Sequence, residues 1–180
     1  MKKTVLTFGL ISGGIMAAMM VAALPFENKL SSGKAEILGY TTIVLAALLI
    51  YFGVRSYRDN VGGGYLTFGR GFTVGILIAL ISSACYVGTW EIVYYNFMPD
   101  FADKYAAHMV EQQKAAGASQ QKIDETTKKA QEFKESYKNP AVNVAMTFME
   151  VFPVGLIVTL ISAGLLRKKA GSSPPILQRA

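Results

Sequence analysis

Residues 4–26 read TVLTFGLISGGIMAAMMVAALPF, a run without a single Asp, Glu, Lys or Arg. A second uncharged run, ILGYTTIVLAALLIYFGV, fills 37–54. From Gly71 to Pro99 the only charge is Glu91, and from Pro140 to Leu166 it is Glu150. A hydrocarbon core of about 30 Å takes roughly 20 helical residues, so each run is one crossing. A closed barrel is the other structure that pairs every backbone group in lipid, but it needs alternating segments of about 10 residues. These runs do not alternate. The sequence therefore predicts an all-α fold: a four-helix transmembrane bundle with spans near 4–25, 37–54, 71–97 and 141–166. A helical extracytoplasmic loop joins the third and fourth helices.

Composition agrees. Of 180 residues, 52% are hydrophobic and 17% charged, which is too oily for a soluble domain of this size and far too oily for disorder. One membrane domain, 1–170, is expected, with a flexible tail at 171–180. The lone Cys85 excludes an intramolecular disulfide and any cluster built from cysteines. His108 is the only histidine, which argues against a His-rich metal site or a serine-hydrolase triad. No H-E-x-x-H, nucleophile elbow or aspartate-rich metal motif occurs. The chain is read as a non-enzyme with no catalytic residue, no cofactor and no metal.

Lys2 and Lys3 before the first run raise the alternative of a signal peptide. Its apolar core exceeds the roughly 7–15 residues of such signals, and Pro25-Phe26 follows Ala22-Ala23 without a small-x-small site. The run is expected to stay as a helix. Orientation follows from Lys and Arg. Lys2 and Lys3, then Arg55, Arg58 and Arg70 of the second loop, then Arg167, Lys168, Lys169 and Arg179 fall on one side; the first loop has only Lys29 and Lys34. The long third loop counts less in this rule. Both termini are therefore expected in the cytoplasm of a bacterial cell. Trp90, Tyr94, Tyr95 and Phe97 gather where the third helix should leave the bilayer, as interfacial aromatics do. Topology accounts for the net charge of +6, and the partner it implies is the lipid bilayer, not nucleic acid.

The third loop, 98–139, balances seven lysines against seven acids. Phe101, Tyr105, Met109 and Gln112 fall at helical spacing, Gly117 interrupts, and Ser119 is placed to cap a second helix. Its apolar stripe is expected to run Ile123, Thr127, Ala130, Phe133 and Tyr137. Such a hairpin can pack on itself, on a second copy or at the lipid surface, and self-packing competes with its use as a partner surface.

Two carboxylates lie inside spans. Glu91 sits about 10 Å from the outer end of its helix and Glu150 about 15 Å from the start of its own. An intramembrane charge costs several kcal/mol and faces protein or a watery cavity. Pro153 removes a ladder N–H three positions after Glu150 and predicts a kink there. One reading makes Glu91 and Glu150 a carboxylate pair or cation site at a helix break; the other gives each a shallow place against tyrosines such as Tyr94 or Tyr40. Small residues recur every four positions at Gly9, Gly13 and Ala17, and at Gly71, Gly75, Ala79 and Ser83, where helices can approach closely. They serve packing within the bundle or a homodimer seam.

The second loop is the most distinctive stretch. Gly53-Val54-Arg55-Ser56-Tyr57-Arg58-Asp59-Asn60 is followed by Gly62-Gly63-Gly64 and then by Tyr65-Leu66-Thr67-Phe68-Gly69-Arg70-Gly71-Phe72. The glycines allow a tight reversal, and Arg55, Arg58 and Arg70 are candidates for anchoring the helix ends among lipid headgroups. No Walker pattern is present. This loop resembles the signature of the DUF4199 family, small four-helix inner-membrane proteins found mostly in Bacteroidota. Tyr94-Tyr95-Asn96-Phe97, Pro99-Asp100-Phe101 and the span ending Leu165-Leu166-Arg167-Lys168-Lys169 extend the resemblance over about residues 2–170. It implies architecture and location only, since the family has no established activity or site. The expected function is that of a structural or accessory envelope protein acting through helix packing and its outer loop, with a possible envelope partner. The alternative is a small oligomeric transporter or channel using Glu91 and Glu150.

Overall fold

The computed structural model describes residues 1–26 and 32–168, with side chains from 37 onward in the second helix. Lys29 and the flexible tail expected at 171–180 lie outside the described residues. Six helices follow in order: α1 Lys2–Ala23, α2 Ser32–Asn60, α3 Phe68–Phe97, α4 Phe101–Ala115, α5 Gln120–Tyr137 and α6 Pro140–Leu166. α1 closes in a short 3-10 turn, Leu24–Phe26, at Pro25. Among the described residues there is no strand, only one antiparallel bridge between Leu66 and Lys168. Among the described residues four helices are long and apolar enough to cross a membrane: α1, α2, α3 and α6. α2 outruns its predicted span because Val54 and Tyr57 are core residues, so the helix continues through Arg55 and Arg58.

α3 is the central helix, with α1 on one flank and α6 on the other, while α2 closes the groove between α1 and α6. Without a hydrophobic force between helices in lipid, association depends on close van der Waals approach. The small residues supply it. A Cβ on Gly13 would lie 2.5 Å from Cys85 Cβ, one on Gly75 2.7 Å from Thr159 Cγ2, and one on Gly155 3.0 Å from Ala79 Cβ. Both predicted small-residue stripes thus meet neighbours of the same chain. Outward, Leu6, Leu10, Leu45, Ile92, Ile157, Ile161 and Leu165 are exposed, an apolar belt around the four spans.

The two ends of the bundle differ. At one end Val5, Val54, Tyr57, Leu66 and Leu166 share a cluster, so the start of α1, the 61–67 loop and the end of α6 lie together. Reciprocal backbone bonds between Leu66 and Lys168, 3.0 and 2.9 Å, tie that loop to the end of α6. Gly63 and Gly64 take φ of +59° and +82°, the left-handed region that the reversal requires. α6 runs unbroken through Pro153, against the helix break expected there. What the proline removes is the N–H that would pair with the Met149 carbonyl.

At the other end stands the hairpin of α4 and α5. Gly117 turns it with φ +67°, and the Ser119 hydroxyl accepts from Lys122 N at 3.4 Å to cap α5. The apolar stripe differs by one position from the expected one: Thr126 is buried and Thr127 exposed. Ile123, Thr126, Ala130, Phe133 and Tyr137 alternate by three and four, the spacing that keeps one face toward a neighbouring helix. On α4 the buried positions are Ala102 and Ala106, not Tyr105 or Gln112, because small side chains let α5 come close. Asp103 and Lys134 form an ion pair across the hairpin, which draws the Lys134 ammonium pKa upward.

A candidate polar seam between the third and sixth helices

The hairpin is rooted in the bundle by aromatic side chains. Trp90 and Phe101 meet edge-on at 4.8 Å between centroids and Tyr94 and Tyr137 at 5.5 Å, while Phe133 and Tyr137 meet tilted at 5.0 Å. These distances suit ring quadrupoles, and each ring carries large apolar area. Trp90 comes from α3, Phe101 from α4, and Phe133 and Tyr137 from α5, so one cluster fixes three elements to each other.

A hydrogen-bonded knot lies beneath the rings. Trp90 Nε1 donates to the Tyr137 hydroxyl at 2.8 Å and to Asn143 Oδ1 at 3.1 Å. The Thr147 hydroxyl donates to the same Asn143 oxygen at 3.3 Å. Asn143 is fully buried, and its Nδ2 has no partner within the chain. Burial pushes the Tyr137 hydroxyl pKa up to about 12, against the opposing effect of the bonds from Thr147 and Trp90. Asn139 caps α6 through its side chain, accepting from Ala141 N at 3.0 Å, and Pro140 opens the helix where its missing N–H costs nothing. That start sets the register placing Asn143, Thr147 and Glu150 at i, i+4 and i+7.

Glu150 continues this line, one level deeper. It lies at the rim of the bundle, exposed in the single chain, and accepts a hydrogen bond from Tyr86 of α3. Tyr40 of α2 and Tyr137 are within electrostatic reach of Tyr86. Glu91 enters none of these bonds. It leaves α3 about 140° around the helix from Tyr86, next to Tyr94, and its Oε1 is buried without a partner. The structure therefore sets Glu150 against a tyrosine and places Glu91 on another flank of α3.

Sequence reading assigned Trp90 to the interfacial belt but missed Tyr86, Asn143 and Thr147. The signal was present: polar residues at 143, 147 and 150 share one face of an otherwise apolar helix. At the opposite end, Arg58 Nε bonds Asp59 at 2.7 Å and Arg55 Nε lies 3.6 Å from the same carboxylate. Arg70 is exposed at the start of α3. The Arg58 carbonyl accepts from Gly64 N at 3.0 Å, and a Cβ on Gly63 or Gly64 would meet no neighbouring atom within 4 Å. Among the described residues no three His, Cys, Asp or Glu side chains gather to hold a metal.

The chain belongs to the family described as Protein of unknown function (DUF4199), which matches residues 7–168. That stretch takes in α2 to α6 complete and most of α1. No curated protein and no solved structure matches the chain.

Proposed function

We propose that this member of a family without assigned activity is a structural or accessory protein of a bacterial inner membrane, with both ends in the cytoplasm and the α4–α5 hairpin outside. The observation that carries this reading is the division of labour in the fold. The small-residue faces of the spans pack against spans of the same chain, while the longest polar surface stands apart on a hairpin fixed by the Trp90–Tyr137 root. The excess of Lys and Arg at the end carrying the 61–67 loop supports the orientation. The hairpin's balance of seven lysines and seven acids suits a partner met through paired charges and not through one strong field.

Purification in mild detergent tests this. A defined envelope partner is expected to stay bound to the full chain and to be lost when charges on the exposed face of α5, such as Lys128 and Glu132, are reversed. A second reading, ion or proton transport by an oligomer, is favoured by Glu150 in its tyrosine-lined seam. A symmetric homo-oligomer that conducts ions in proteoliposomes, with no other protein bound, would replace the accessory reading by that one.

A further inference from the structure

Asn143, Thr147 and Glu150 line one face of α6 from the level of Trp90 inward over about 10 Å. Asn143 Oδ1 already accepts from Trp90 and Thr147, yet its fully buried Nδ2 has no partner within the chain. A buried amide donor takes an acceptor. Along this line the chain offers an amide, a hydroxyl and a carboxylate one after another, and the acceptor small enough to join them is water, which bonds about three otherwise unpaired buried groups. We propose that this seam holds internal water continuous with the hairpin face, and that Glu150 binds and releases a proton through it.

The chemistry of the seam selects the ligand. A metal cation wants several oxygen acceptors, whereas the unpartnered atom here is a donor and Tyr86 turns its O–H toward the carboxylate. On release, the Glu150 O–H bond breaks, the proton passes to the adjoining water, and the carboxylate keeps the electron pair along with the bond from Tyr86. Uptake is the reverse, and no redox change occurs. The titratable groups facing the site are Tyr86 from α3, Tyr40 from α2 and Tyr137 from α5. α1 brings none between Lys3 and its end; Glu91 leaves α3 on another flank, and Lys138 is held by Glu135 at 3.0 Å. The proposal does not depend on the accessory reading, since a proton site can serve a structural protein or a transporter.

Infrared difference spectroscopy on the full chain in vesicles tests it. The wild-type spectrum is expected to contain a carboxyl C=O band that follows pH on the hairpin side and disappears in Glu150→Gln. In Asn143→Leu the band is expected to persist but lose its response to a pH step and to D2O on that side. Thr147→Val gives the same readout if Asn143→Leu does not fold, with emission of Trp90, the only tryptophan, reporting the fold of either variant. The absence of any pH-dependent band lost in Glu150→Gln overturns the proposal. So does an unchanged response in both seam variants, or a faster response from the opposite side.

Discussion

A methyl group at Gly75 would meet Thr159 Cγ2 at 2.7 Å, whereas one at Gly88 would meet nothing within 4 Å. Two glycines of the same helix therefore predict opposite outcomes. Gly75→Val should force α3 and α6 apart at a cost of about 1–3 kcal/mol, while Gly88→Ala should stay within about 0.5 kcal/mol of wild type. Unfolding in mixed micelles measures both, and equal effects would show that α3 and α6 do not pack closely at Gly75. Tyr137 supports a prediction in pH. Its hydroxyl is raised from 10 to about 12 by burial, so the folded state favours the protonated phenol. The stability this contributes is fully present below pH 10 and disappears as pH rises toward 12. A phenolate absorbance titration of wild type minus Tyr137→Phe should show this residue ionising well above the usual tyrosine range, together with release of the hairpin root. The sequence made Glu150 visible as an isolated charge in an apolar run, but not its partner. Tyr86 is one aromatic among many, and only the register between α3 and α6 selects it.

The hairpin was legible as an element, less so in its faces. Gly117 and Ser119 announced the turn and the cap, because a left-handed φ and an N-terminal hydroxyl have local signatures. Which stripe faces α4 is a tertiary matter: Thr126 and Thr127 are chemically alike, and the presence of Ala102 and Ala106 opposite decides between them. The same limit applied to Pro153, whose missing N–H is a local fact while α6 continues as one helix through it. Local features predict local costs. Ser119→Ala should remove the acceptor of Lys122 N and destabilise α5 by about 1 kcal/mol. Gly117→Ala, at φ +67°, should cost about 1–2 kcal/mol. Hydrogen exchange should quicken in the first turns of α5 in both variants. Amides of α3 and α6 should keep their protection, since the hairpin reaches them only through its root. Loss of protection in the spans would mean that hairpin and bundle unfold as one unit.

For the molecule as a whole, four apolar runs dictated the architecture because lipid leaves a chain so few ways to pair its backbone. An even number of spans returns the chain to the end where it began, and the cluster of Val5, Leu66 and Leu166 shows that return directly. Which compartment that end faces is an electrostatic matter settled during insertion, and the charges rather than the packing carry it. Arg55, Arg58 and Arg70 sit at the same end as Lys2, Lys3 and Lys168, so the positive residues of three separate segments act in one direction. With Cys85 replaced by Ser, a single cysteine placed at Ala118 of the hairpin tip should react with an impermeant maleimide in intact spheroplasts. One placed at Val61 should react only after the membrane is opened. Replacing Arg55, Arg58 and Arg70 together with Gln should leave a mixed population in which both cysteines label in part. Each single replacement should leave orientation unchanged, because two of the three loop arginines remain to hold that loop on its side. If the triple variant instead inserts uniformly as wild type does, orientation is held by the Lys2–Lys3 start and the end of α6, and the loop arginines serve the lipid surface alone.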